Sequence, residues 1–270
     1  MHEFVDEIFQ PENSTENILS IQVSLNGFSF SVIYPTQKKL LYFKTNEQKI
    51  SSEALLYRHF ESWFTAESLL QQSYKNVFII YHAEKSMLVP DQLKPGKAIH
   101  KLEALFFDAN PKSIWVNNSI NQFGAHLYFS VPEEFSKVVD KLLPTAQFIH
   151  PVKWISERVF TADNREKMFL LFETNQFTLL LFEKTQLKLV NNFTFKHPND
   201  VIFYVLSSIK QFGINKAELD MHFAGNLYTY SGLEQLLYKH FPGASKIAPK
   251  TLVPPSITEE QVLKNISLFL

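Results

Sequence analysis

Ile21-Gln22-Val23-Ser24-Leu25-Asn26-Gly27-Phe28 and, 149 residues further on, Leu170-Leu171-Phe172-Glu173-Thr174-Asn175-Gln176-Phe177 share one pattern. Each is an apolar strand that enters a short polar turn and leaves as a second apolar strand. Asn26-Gly27 predicts a two-residue hairpin, because both residue types accept the left-handed backbone such turns need. Around the first turn, residues 20–25, 28–34 and 40–44 read as a three-stranded meander whose second joint is Pro35-Thr36-Gln37. Around the second, residues 168–173, 177–183 and 187–195 read the same way. Sliding one meander onto the other by 149 residues pairs Asn26 with Asn175, Phe28 with Phe177, Thr36-Gln37 with Thr185-Gln186 and Lys39-Leu40 with Lys188-Leu189, six identities.

The elements after each meander are also alike. Ser51 or Ser52 is placed to cap a helix carrying Leu55, Leu56, His59, Phe60, Trp63 and Phe64 at helical spacing, and residues 77–81 form an apolar strand. In the second half a helix over 199–212 stops at Gly213, residues 219–223 read as a short strand, and a helix over 231–241 ends at Pro242-Gly243. Helices are also predicted over 97–107 and 132–143, and strands over 113–117 and 125–131. A loop with Pro249, Pro254 and Pro255 leads to a short last helix, where Thr258 and Gln261 have capping-box spacing. The expected organisation is a loose polar leader over 1–17, a first lobe over 18–160 and a second over 161–270.

Composition narrows the function. The 26 Lys and Arg balance the acids to a net charge of −1 and form no basic stripe, so no nucleic-acid partner is expected. There is no cysteine, which excludes disulfides, thiolate metal sites and cysteine nucleophiles. No apolar run approaches the roughly 20 residues of a membrane span, and the acidic N-terminus does not read as a secretory signal, so the expected location is the cytoplasm. The chain holds 26 Phe against 7 Gly: much to bury, few places where a phosphate could approach the backbone closely.

A meander, helix, strand, helix, strand, occurring twice, resembles the actin, sugar-kinase and Hsp70 ATPase fold (ribonuclease H-like), an α/β architecture of two lobes, each with a mixed sheet led by a three-stranded antiparallel meander. The chain also resembles an uncharacterised bacterial family of degenerate actin-like proteins. The resemblance implies that each first hairpin corresponds to a phosphate loop: an apolar strand, an Asp, a spacer, a Gly and a small polar residue, with turn N–H groups on phosphate and acids on a hydrated metal. Ser24 stands at the Asp position of the first loop and Asn26 at its Gly position, with Gly27 next to it. In the second, Glu173 keeps the acid while Asn175 and Gln176 replace glycines. Ala224-Gly225 matches the paired glycines of the adenosine loop. The implied groove residues are therefore Ser24, Asn26, Gly27, Glu173, Asn175, Gln176, Ala224 and Gly225, with no catalytic residue and no metal ligand assigned.

The scaffold reads as kept and the chemistry as eroded, since a Cβ at each loop hinders a polyphosphate. The leading expectation is a non-catalytic binding or scaffolding protein with a protein partner and no cofactor. The enzyme alternative is a nucleotide-dependent phosphotransferase or ATPase using ATP and magnesium through Glu173. A third reading, a part in an envelope or pilus-type assembly, rests on fold analogy. Other constellations have ordinary explanations. His59, His82, His126, His150 and His222 lack metal-ligand spacing, Glu133-Glu134 and Glu259-Glu260 suit helix starts, and Trp63, Trp115 and Trp154 read as core. Leu88-Val89-Pro90 and Leu252-Val253-Pro254 read as loops.

Overall fold

The computed structural model describes residues 2–83, 85–93, 99–107, 112–159, 165–184, 186–228, 230–249 and 251–269. In the first lobe, β1 (Glu3–Val5) lies at the edge of a six-stranded sheet with β2 (Ile18–Ser24), β3 (Gly27–Tyr34), β4 (Lys39–Glu47), β5 (Asn76–Tyr81) and β9 (Gln147–Ile149), in the order β1-β4-β3-β2-β5-β9. The meander is antiparallel, whereas β5 and β9 run parallel to β2. In the second lobe, β10 (Lys167–Phe172), β11 (Gln176–Glu183), β12 (Gln186–Thr194), β13 (Asp220–Gly225) and β14 (Ser245–Lys246) form a sheet of order β12-β11-β10-β13-β14. Again the meander is antiparallel and the later strands are parallel.

The two meanders match in register. Val23 faces Phe28 as Phe172 faces Phe177, and a β-bulge falls between Val32 and Ile33 in one lobe and between Leu181 and Phe182 in the other. All of these obey the 149-residue offset. The third strands do not. Tyr42 pairs with Val32 while Leu189 pairs with Leu181, so β12 corresponds to β4 with an offset of 147. The second turn of the second lobe is two residues shorter, and Lys39-Leu40 aligns in space with Gln186-Leu187, not with Lys188-Leu189. Thr185 lies outside the described residues.

Helix α1 (Leu56–Ala66) and helix α3 (Glu133–Leu142) cover one face of the first sheet. Their apolar stripes meet the strands in a core where Phe60 touches Phe28 and Phe135 edge-to-face and Phe28 stacks on Trp63 at 4.9 Å. Helix α5 (Pro198–Phe212) and helix α6 (Leu233–His240) do the same for the second sheet, through Val201, Val205 and Leu237 against Phe172, Phe177 and Phe223. Gly213 closes α5 with φ +66°. A third core joins the lobes, with Ile33, Phe43 and Ile80 meeting Phe169, Leu180 and Phe182. The last helix, α7 (Glu259–Lys264), and the turn after it add Leu263, Ile266 and Leu268 to that shared core. There Gln22 Nε2 donates to the Lys264 carbonyl at 2.9 Å and Ser31 Oγ to that of Ser267 at 3.2 Å. The Thr258–Gln261 capping box is present.

Several local expectations are corrected. The leader is not loose: β1 pairs with the outer edge of β4, satisfying backbone groups that would otherwise stand unpaired, and Asp6 binds Lys39 at 2.9 Å. The first turn is Leu25-Asn26, one residue earlier than expected, with Gly27 opening β3 at φ +125°. Neither Ser51 nor Ser52 caps α1 through its side chain, because a 3-10 turn over Glu53–Leu55 precedes the helix. Leu88-Val89-Pro90 belongs to a strand, β6 (Ser86–Pro90), which joins β7 (Ser113–Ile120) and β8 (Ala125–Pro132) in a separate sheet of order β6-β8-β7. Helix α2 (Ile99–Phe106) lies against this sheet, its Ile99 packed on Val89 and Tyr128. Residues 97 and 98 of its expected span lie outside the described residues. Helix α4 (Pro151–Val159) was not anticipated; no Ser, Thr, Asp or Asn marks its start, where the ring of His150 accepts from the Val152 N–H instead.

Candidate functional site

The sheets bring the tips of the two equivalent hairpins against each other. Asn26 Nδ2 donates to Thr174 Oγ1 across the lobes. Two cavities, of about 480 and about 270 Å³, adjoin at this contact and share Ser24, Asn26, Lys49, Glu173 and Thr174 in their walls. The larger also reaches Gln22, Gly27, Asn226 and Lys264. The smaller reaches Tyr81, His82, Asn175 and Gln176. Of the residues expected in the groove, Ser24, Asn26 and Glu173 thus line both cavities, Gly27 the larger, and Asn175 and Gln176 the smaller. Ala224 and Gly225 line neither; Ala224 is fully buried in the shared core.

The turns consume their own polar groups. Ser24 Oγ accepts from the Asn26 N–H at 3.1 Å and donates to the Gly27 carbonyl at 3.3 Å. In the second hairpin the Glu173 N–H donates to the Gln176 carbonyl at 2.8 Å, and the Asn175 carbonyl accepts from Phe195 at 2.9 Å. The glycines have a packing reason as well. A Cβ on Gly27 would stand 2.1 Å from the Asn46 carbonyl oxygen, and one on Gly225 would stand 2.1 Å from that of Phe172. Both residues permit a neighbouring main chain to approach closely, at φ +125° and +98°.

Glu173 is held by a residue of the other lobe. His82 Nδ1 lies 3.1 Å from Glu173 Oε1, and His82 Nε2 lies 2.8 Å from Thr178 Oγ1. The Thr178 hydroxyl donates to Asn192 Oδ1 at 2.6 Å, so it accepts from Nε2. The His82 side chain is 5% exposed and that of Glu173 21%, so the pair is sheltered between the lobes. Behind it lies His150, fully buried, its ring 5.2 Å from that of His82. Burial, and secondarily the neighbouring His82, holds the His150 pKa well below the ordinary histidine value. Its Nδ1 accepts from the Val152 N–H at 3.2 Å, at the start of α4.

Thr174, His82, Gln22, Asn226 and Lys49 were not among the expected groove residues. One signal for two of them exists in hindsight: Tyr81 pairs with Val23 and Gly225 with Phe172, so His82 and Asn226 are the equivalent residues just past the parallel strand of each lobe. Among the described residues no three His, Asp or Glu side chains gather as a metal site, and no helix is long and apolar enough to cross a membrane.

Comparison with known proteins agrees with this architecture. The family profile described as "Protein of unknown function (DUF3822)" matches residues 6–243. A crystal structure from Bacteroides thetaiotaomicron, described as a protein with actin-like ATPase fold and unknown function, is 22% identical, covers 89% of this chain and 94% of its own, and has a TM-score of 0.77. The PilM–PilN type IV pilus biogenesis complex matches at 11% identity over 95% of this chain and 96% of that one, with a TM-score of 0.58. The ethanolamine utilization protein EutJ from Carboxydothermus hydrogenoformans matches at 7% identity over 98% and 90%, with a TM-score of 0.52. No curated protein matches. At these identities the structures share the fold: an actin-like α/β architecture of two sheet-containing lobes.

Proposed function

The chain belongs to the DUF3822 family of unknown function, and on that footing we propose that it is an actin-like-fold binding or scaffolding protein whose groove does not take a nucleoside triphosphate. The observation that carries this reading is the hydrogen bond between the hairpin tips, Asn26 to Thr174, where a phosphate chain would have to pass. Four further features support it. Ser24 has no carboxylate and is spent on its own turn. Glu173, the one retained acid, is engaged by His82. Gln176 stands where a phosphate loop keeps a small residue. Gly27 and Gly225 serve adjacent backbones. The residues present therefore do not fit ATP with magnesium, and no reaction step is assigned to that pair.

The matching registers and bulges of the two meanders support descent of the lobes, over 18–160 and 161–270, from one duplicated unit. A fold neighbour is described as a complex of PilM with PilN, and a protein partner is part of the reading for this chain too. The test is a thermal melt with and without magnesium and ATP, and then a hydrolysis assay. The expected result is an unchanged melting temperature, because a ligand that binds the folded state must raise it, and phosphate release at background. ATP turnover that disappears in Glu173→Ala would overturn the proposal and restore the phosphotransferase reading.

A further inference from the structure

The two matching lobes differ at one sheet edge. In the first, β1 runs antiparallel along the outer side of β4, pairing Glu3 with Lys44, Phe4 with Phe43 and Val5 with Tyr42. The Asp6 N–H donates to the Leu41 carbonyl at 2.8 Å, and the Thr45 N–H to that of His2 at 2.9 Å. In the second, β12 ends its sheet, and among the described residues no strand pairs with its outer side. The offset of 147 makes Lys188, Val190 and Asn192 the counterparts of Leu41, Phe43 and Thr45, so their main-chain groups point outward. Where Thr45 meets His2, the Asn192 N–H is taken at 3.0 Å by the Asn191 side chain, which stands in for a strand carbonyl. Exposure follows the same division. Leu41, Tyr42 and Phe43 are buried, whereas Lys188 and Asn191 are exposed and Leu189 and Val190 only half-buried. Strand β6 pairs with β8 and meets β12 through side chains, Asn192 Nδ2 donating to Ser86 Oγ at 3.2 Å.

An open strand edge is a template for another strand, and proteins blunt such edges with lysines and bulges. β12 has both, with Lys188 at its bulge. The bulge does not forbid pairing, since β4 carries the same one and β1 pairs up to it. The lysines discriminate instead. Lys184 and Lys188 lie at one end of β12 and Lys196 at the other, all exposed. The acids nearby are engaged: Glu183 binds Lys188 at 3.0 Å, and Asp200 accepts from the N–H groups of Lys196 and His197. A second copy paired antiparallel about Val190 would set Lys184 against Lys196 at both ends, and like charges placed opposite each other destabilise. A strand with acids at its ends meets the opposite sign. β1 is of that kind, with Glu3 and Asp6 on either side of Phe4-Val5 and Asp6 bound to Lys39 at 2.9 Å.

We propose that the outer edge of β12 docks an extended segment of a protein partner, antiparallel to it, that carries adjacent apolar residues between acids. The proposal rests on the reading of this chain as a binding protein and says where, and through what chemistry, the partner is held. The probes are fluorescent eight-residue peptides of that pattern, residues 2–9 of this chain among them, titrated by anisotropy into the full chain. A thermal melt with magnesium and ATP is a separate arm. At least one acidic peptide binds saturably, and its counterpart with lysines for acids binds at least about fivefold more weakly, as two exposed charge pairs allow. N-methylation weakens binding at every second residue and not between, because alternate N–H groups face β12, and hydrogen exchange slows over residues 188–192. Lys184→Glu combined with Lys188→Glu, both exposed changes that leave folding intact, shifts the preference to the lysine peptide. Silence of every peptide, equal binding of the lysine forms or indifference to N-methylation overturns the proposal. So does exchange that changes over residues 39–47 in place of 188–192, or a dimer of the free chain that Val190→Lys breaks. Silence of both peptides and ATP sinks this inference alone; a shift with ATP sinks the reading beneath it.

Discussion

Replacing Gly225 by alanine is expected to cost about 3–5 kcal/mol of folding stability, built from backbone strain, a main-chain clash and a weakened hydrogen bond. Alanine at φ +98° sits in a sparsely populated region, a strain of about 1–3 kcal/mol. The new Cβ would lie 2.1 Å from the carbonyl oxygen and 2.6 Å from the nitrogen of Phe172, both main-chain atoms of β10, so β13 must draw back from its neighbour. Withdrawal loosens the Asn226 N–H bond to that same carbonyl, now 2.8 Å, for about 1 kcal/mol more. The control is Gly213→Ala at the end of α5, where φ is +66° and nothing lies within 4 Å of the added carbon; it carries backbone strain only, about 1–2 kcal/mol. Urea unfolding monitored by fluorescence and circular dichroism gives both values. If Gly225→Ala costs no more than Gly213→Ala, Gly225 is not there for strand packing. A stable Gly225→Ala protein would return it to the role the sequence suggests, a close approach to a ligand.

The other expectations concern the groove and the helix ends. His150 is buried neutral with a depressed pKa, so the unfolded chain takes up its proton first as pH falls; its contribution is present above the ordinary histidine value of 6.5 and is lost below it, at up to about 1.4 kcal/mol per pH unit. Stability curves from pH 8 to 5 should steepen below about 6.5 and flatten in His150→Asn, which keeps an acceptor for the Val152 N–H; an identical slope in both proteins refutes this. A double-mutant cycle of Asn26→Ala and Thr174→Val should show a coupling of about 0.5–1 kcal/mol, and none if the hairpin tips do not meet in solution. Thr258→Ala removes the capping box of α7 and should cost about 1 kcal/mol. Since α7 fills the core between the lobes, proteolysis after residue 250 should quicken with it; an unchanged rate and melting temperature would show that the cap carries no weight.

Much of the fold was legible in the chain itself. Alternating and continuous apolar runs located the strands of both meanders, Gly213 ended α5 where expected, and Thr258 with Gln261 capped α7. The 149-residue repeat found the two hairpins, and it found Ser24, Asn26, Glu173 and Asn175 at their turns. It erred where chain length changed: the shorter second turn moved β12 by two residues, which identities at Lys188-Leu189 concealed. It erred too where strands are short. Leu88-Val89-Pro90 has three residues of pattern and a proline, and what makes it a strand is β8 beside it, with Val89 facing His126.

These successes and failures have one cause. Periodicity and turn chemistry are properties of neighbours in sequence, so the chain by itself determined the order of meander, helix and strand in each half, the two-lobed plan and the location of each hairpin to within a residue. Hydrogen bonds between distant segments depend on how the sheets are set against each other. Only the tertiary structure decided that Asn26 meets Thr174 across 148 residues of chain, that His82 holds Glu173 across 91, and that Gln22 and Asn226 line the same cavity. It also decided that Gly27 and Gly225 answer to main chains that pass beside them, because the carbonyls they clear belong to Asn46 and Phe172, and no local pattern records which strand will lie alongside.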